Sequence, residues 1–250
     1  MNADGSNVVQ LTGDPFVMIN FVRNPTDELP TWSPDGKRIA FNSGRNNSKW
    51  GTIVSNVFVI DINGSNIIDL TTDRFCNCLA PSWSPDEKKI AFVCRSFYIC
   101  VINADGSNPK QLTTNNLGFI NRINWSPDGQ YIAFDEAYID NNMKDINVMN
   151  ADGSNIIKLT NGQENDGDPV WSPDASRIAF ESNHDGKFQI YIMNTKGSNF
   201  VKLADNQGAD GYPSWSPDGS RIAFESVRNG KRDIFVINAD GTNIVQLTGK

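Results

Sequence analysis

Four carboxylates, Asp27, Asp166, Asp168 and Asp210, are where any hydrolytic chemistry in this 250-residue chain would have to begin. Two facing carboxyl groups can act as acid and as base or nucleophile at a glycosidic bond, with no need of histidine or metal. Other chemistry lacks its groups. The one histidine, His184, lies in Asn183-His184-Asp185-Gly186, a segment with the composition of an exposed hairpin turn. There is no Gly-x-Ser-x-Gly elbow, no His-Glu-x-x-His pair and no phosphate-cradling glycine loop. The stretch Glu164-Asn165-Asp166-Gly167-Asp168 could converge on a cation, but it meets no calcium-loop spacing, so neither metal nor cofactor is expected. Binding is therefore the expected activity, and catalysis is not.

The four cysteines, Cys76, Cys78, Cys94 and Cys100, all fall within 25 residues of sequence and cannot staple the whole molecule. The reading preferred here is free, partly buried thiols, with a Cys94–Cys100 disulfide or a zinc site as alternatives. A net charge of −7, with no lysine or arginine stripe, argues against nucleic acid. No apolar run approaches the roughly 20 residues of a membrane helix, so membrane insertion is not expected. The opening residues, MNADGSN, lack the regions of a signal peptide, and they also begin within a repeat, which leaves the compartment open.

The elements that must position these residues come from a repeat. Trp-Ser-Pro-Asp recurs at Trp32, Trp83, Trp125, Trp171 and Trp215, and each copy is followed by Ile-Ala-Phe, as at Ile39-Ala40-Phe41 and Ile222-Ala223-Phe224. An alternating strand such as Ile234-Phe235-Val236-Ile237 then leads through Asn-Ala-Asp-Gly to a short strand ending in Leu-Thr. Each unit reads strand, turn, strand, loop, strand, turn, strand. Nothing between has helical periodicity, so the expected fold is an all-β propeller of five four-stranded blades in a single domain over 1–250. The repeats run at about 26–72, 73–114, 115–160, 161–204 and 205–250.

In Ser33-Pro34-Asp35-Gly36 the proline presets φ, the aspartate can accept backbone N–H bonds, and the glycine takes the left-handed conformation. Glu87 and Ala175 replace that glycine in two copies, at an expected cost of about 1 kcal/mol each if the geometry is kept. The five repeated tryptophans are expected to fill the gaps between blades. Trp50 alone breaks their register, in the long insertion of the first unit, and is a candidate for surface recognition.

Residues 1–12 repeat the last strand of a unit, giving six last strands but five of every other kind. The N-terminal copy is expected to close the ring, either as a fifth strand beside the C-terminal copy or by displacing it. The rival arrangement is an incomplete six-bladed ring with an open edge.

The strings WSPDGKRIAF at 32–41, WSPDGQYIAF at 125–134 and WSPDGSRIAF at 215–224 resemble the repeat of TolB-type propellers, which differ from the WD-repeat kind and have relatives in tricorn-like and prolyl-oligopeptidase-like proteases. The resemblance covers nearly the whole chain. It implies a propeller face that binds a protein, as the non-catalytic periplasmic TolB does, and it suggests a periplasmic or other extracytoplasmic setting. This chain lacks TolB's N-terminal domain, so a Tol-system role does not follow.

With the regular turns on one face, the irregular loops must occupy the other, as a variable surface on a rigid frame. Counting back from each tryptophan makes Leu29, Ala80, Arg122, Asp168 and Tyr212 equivalent near the channel mouth, with Asp27, Cys78, Ile120, Asp166 and Asp210 two places earlier. The candidate partner-binding residues are Asp27, Arg122, Asp166, Asp168, Asp210 and Tyr212; a protein or peptide is the expected partner, with a carbohydrate or other small ligand as the alternative and a two-carboxylate glycosidase behind it. Asp135, Glu181 and Glu225, each one place after Ile-Ala-Phe, are expected to form ion pairs across their hairpins, for example to Lys187 or Lys231.

Overall fold

The computed structural model describes residues 11–12, 27–44, 54–72, 77–114, 117–138, 140, 143–203 and 208–249. These residues form twenty strands in five antiparallel sheets of four, each a simple meander. The first sheet holds β1 (Asp27–Trp32), β2 (Arg38–Ser43), β3 (Asn56–Asp61) and β4 (Ile68–Asp69). The second holds β5 (Cys78–Trp83), β6 (Lys89–Cys94), β7 (Tyr98–Asn103) and β8 (Lys110–Gln111). The third holds β9 (Phe119–Trp125), β10 (Tyr131–Ala137), β11 (Lys144–Asn150) and β12 (Ile157–Lys158). The fourth holds β13 (Asp166–Trp171), β14 (Arg177–Ser182), β15 (Gln189–Asn194) and β16 (Val201–Lys202). The fifth holds β17 (Ala209–Trp215), β18 (Arg221–Arg228), β19 (Lys231–Asn238) and β20 (Val245–Gln246). The chain is a five-bladed propeller.

The Ile-Ala-Phe triplets form the blade centres. Ile90, Phe92, Ile132, Phe134, Ile178 and Phe180 are fully buried, and each such side chain stabilises the fold by about 1.5–3 kcal/mol. At the regular turns the Ser33 hydroxyl donates to Asp35 Oδ1 at 2.7 Å and accepts the Arg38 N–H at 2.9 Å. The same bonds recur around Ser84, Ser126, Ser172 and Ser216. Glu87 and Ala175 keep the left-handed geometry, with φ of 60° and 56°. At the outer rim the threonine of Leu-Thr ties the last strand to the third, as where Thr71, Thr113 and Thr160 Oγ1 accept the N–H of Val57, Ile99 and Ile146 at 2.9–3.0 Å.

Neighbouring blades meet in a repeated seam. Trp83, Trp125 and Trp171 are 6%, 9% and 6% exposed, and Trp215 is half-buried. The Trp171 and Trp215 indole N–H groups donate to the Asn124 and Val170 carbonyls of the preceding blade, at 3.1 and 3.3 Å. The side chain six places after the preceding tryptophan covers three of these rings: Arg38 lies 4.7 Å above Trp83, Tyr131 stacks on Trp171, and Arg177 lies 4.8 Å above Trp215. Trp32 is the exception at 60% exposed.

Two expectations change. Cys94 and Cys100 form a disulfide rather than remaining thiols. Cys94 pairs with Tyr98 across the β6–β7 hairpin, so Cys100, two places on, lies diagonally opposite on the same face of the sheet. Cys78 is a buried thiol outside this bridge, and Cys76 lies outside the described residues. In the fifth sheet β20, not the N-terminal copy, pairs with β19, so the C-terminal strand is not displaced. Residues 1–10 and Trp50 lie outside the described residues.

Candidate functional site at the channel mouth

The innermost strand of every blade carries a bulge just before its tryptophan, where the register slips against the second strand. In four blades the slip falls at an X-Pro pair: Leu29-Pro30, Ala80-Pro81, Asp168-Pro169 and Tyr212-Pro213. Proline has no N–H for the ladder and is tolerated in a sheet at such bulges. The residue before it stands at φ of 49–54° in all four, a conformation costly for a side chain other than glycine. The third blade has Ile123 in place of proline, and Arg122 is not left-handed there. Instead Asp135 Oδ1 accepts the N–H groups of Asn121 and Arg122, at 3.0 and 2.7 Å. The positions found by counting from tryptophan are thus those the bulge re-aims.

Three of them, from three consecutive blades, converge. Arg122 Nε donates to Asp168 Oδ1 at 2.8 Å, and the Arg122 guanidinium lies 5.9 Å from the centre of the Tyr212 ring. Asp168 is nearly buried, the Arg122 side chain is mostly covered, and Tyr212 is 54% exposed. On the other side of the ring the equivalent positions are apolar: Ala80 is buried, and Leu29 and Leu79 pack into the same cluster.

Beneath this triad sits a second layer that sequence reasoning only half found. Asp135 Oδ2 lies 3.8 Å from Lys144 Nζ and accepts the Asp168 N–H at 3.4 Å. Glu181 accepts the Tyr212 N–H. Asp135 and Glu181, each one place after Ile-Ala-Phe, therefore cap the bulge of the next blade. Gly167 lies among them: a Cβ there would come within 3.3–3.4 Å of Asp135 Oδ2, Glu181 Oε1 and Lys144 Nζ. One on Gly211 would come within 2.5 Å of Glu181 Oε2. Burial, reinforced by the Asp168 charge, pushes the Glu181 carboxyl up to about 7. Burial likewise raises Asp135, against the pull of Lys144. Glu225, in the fifth blade, pairs instead with Arg232 at 2.9 Å, not with Lys231. The position of Asp135 and Glu181 was readable from the repeat, whereas Lys144 had no spacing to betray it.

The remaining candidates are placed differently. Asp166 and Asp210 are buried, at 3% and 2% exposed, with Asp166 opposite Ser182 and raised by burial, and Asp210 opposite Ser226. Asp27 is exposed at the start of β1. Glu164 faces His184 Nδ1 at 3.2 Å. Among the described residues no group of three metal-ligating side chains converges. Two open clefts lie at seams on the regular-turn face: one of about 510 Å³ beside Lys89, Lys110, Trp125 and Asp152, another of about 410 Å³ beside Arg177 and Asp240.

The repeats match the TolB beta propeller domain over residues 56–204 and 93–250. The chain belongs to this TolB propeller family. No curated protein matches it in sequence. Among solved structures it is similar to the protein assigned as TolB in Agrobacterium tumefaciens, at 24% identity over 90% of this chain and 81% of that one, with a TM-score of 0.77. TolB from Acinetobacter baumannii follows at 21% identity over 85% of this chain and 53% of that one, with a TM-score of 0.69. An oligogalacturonate lyase in complex with manganese shares the fold at 18% identity over 87% of this chain and 63% of that one, with a TM-score of 0.67. This chain spans about half the length of the Acinetobacter protein. These likenesses establish a common propeller, on which both a lyase and TolB are built.

Proposed function

We propose that this chain is a non-catalytic propeller scaffold that binds a protein or peptide through the irregular-loop face and the channel mouth. The observation carrying this reading is the convergence of Arg122, Asp168 and Tyr212 from three blades, with an exposed tyrosine ring on a rigid base. Tyrosine and arginine are enriched where interfaces concentrate their energy. The mouth offers both beside an apolar half around Leu29 and Ala80, which suits a partner segment of mixed polarity. A two-carboxylate hydrolase finds less support, since Asp135 and Glu181 are engaged with backbone N–H groups and near Lys144. Partners captured from the native source by the unaltered chain and by a Tyr212→Ala, Arg122→Ala variant should differ by at least one protein. Equal recovery of every partner by both would remove the mouth from the binding surface.

A further inference from the structure

We propose that the seam between the second and third blades holds a binding site for an uncharged saccharide, separate from the channel mouth. Five copies of one unit serve as controls for each other, and two departures from the repeat meet at this seam. The side chain six places after each tryptophan is Arg38, Tyr131, Arg177 or Arg221 in four blades, and in the second it is Lys89. Arg38, Tyr131 and Arg177 lie over the next indole, whereas among the described residues no cation or ring lies over Trp125. The outermost strand opens with Ile68, Ile157, Val201 or Val245 in the other blades, and with Lys110 here. The cleft of about 510 Å³ is lined by both lysines, and its volume falls within the range of about 300–1,000 Å³ typical of ligand pockets.

The strand register puts both lysines on one wall of the cleft. Lys89 pairs with Asn103, and Lys110 pairs with Val101 two places away, so Lys89, Val101 and Lys110 share one face of the second blade. That face is turned to the third blade, since Val101 packs in one apolar cluster with Trp125, Leu112 and Ala151. The cleft thus has an apolar floor with part of an indole in it. Around the floor the charges are mixed. Both lysines are exposed, and among the described residues neither ammonium makes a hydrogen bond or an ion pair. Asp86 and Asp152 are ionised, held below the usual carboxylate range first by the hydroxyls of Ser84 and Ser154. The turn bonds of Asp128 and Asp152 fall on Oδ1, which leaves Oδ2 of each to accept from a ligand. An anion entering here meets three carboxylates, and an amine meets two ammonium groups. A hydroxyl accepts from the lysines and donates to the aspartates, so it satisfies both. A pyranose carries such hydroxyls around its edge and a C–H face that can cover the apolar floor.

The test presents the full chain, fluorescently labelled, to an array of neutral and acidic oligosaccharides. At least one neutral member should be bound. Added in solution, that member should shift the NMR signal of the Trp125 indole N–H and leave those of Trp83 and Trp171 in place. Lys89→Arg keeps the charge but restores the cover that Arg38 and Arg177 give their indoles, and Lys110→Ile restores the residue found at 68 and 157. Each puts in a residue that the repeat already accommodates, so the thermal midpoint should hold while affinity for the saccharide falls about tenfold or more. The Arg122→Ala, Tyr212→Ala variant should bind the saccharide as before, so that this site and the mouth stand or fall separately. Four results would overturn the proposal: no neutral saccharide bound, acidic ones bound alone, binding that survives both lysine substitutions, or binding lost with the mouth variant.

Discussion

The two ends of the blades treat their carboxylates in opposite ways. On the regular-turn face Asp35, Asp86, Asp174 and Asp218 accept bonds from a serine hydroxyl and a backbone N–H in open solvent, and their carboxyls are held below the usual range, Asp174 at about 2. At the mouth Asp135, Asp166 and Glu181 accept comparable bonds but lie out of water, and burial raises all three. The same functional group thus closes a turn at one end and charges a buried junction at the other. Desolvation, not bond count, decides the sign.

The largest expected effect that would sharpen this contrast is at Glu181. Its pKa in the folded state lies above the ordinary value of 4.5, so its contribution to stability is fully present below that value and is lost as pH rises through about 7. Glu181→Gln keeps an acceptor for the Tyr212 N–H and removes the titration. Urea unfolding at pH 8 should show the variant more stable than the unaltered chain by up to about 3 kcal/mol, with the advantage gone at pH 4.5. An advantage independent of pH would break the contrast.

At the turn face the sign reverses. Asp174→Ala should cost about 1 kcal/mol at neutral pH through its lost bonds to Ser172 and Ser176. Because the Asp174 pKa is depressed, that difference should fade as pH falls from 3.8 toward 2. The smallest effect is steric. Ala175→Gly should add roughly 0.5–1 kcal/mol by relieving a left-handed alanine, as measured by the shift in urea midpoint at unchanged slope.

Much of this molecule was legible because a tandem repeat makes every local signal count five times. The blades, the turns and the equivalence of Arg122, Asp168 and Tyr212 all follow from counting along the chain. What stayed hidden depends on how one blade meets the next. The capping of one blade's bulge by the preceding blade's carboxylate, the approach of Lys144, and the exposure of Trp32 are set by packing between units, which no spacing within a unit encodes. The Leu29-Pro30, Ala80-Pro81, Asp168-Pro169 and Tyr212-Pro213 pairs were a readable bulge signal, since a proline two places before the tryptophan cannot sit in a regular ladder. Asp166 and Asp210, chosen for their charge, proved buried where those strands begin.

The opposed carboxylates can be tested directly by a carboxyl-carbon NMR titration of the intact chain from pH 2 to 9. Glu181 should titrate near 7 and Asp174 near 2. If both titrated near 4, as they would in an unfolded chain, the mouth would hold no desolvated junction and the distinction between the two ends would fail.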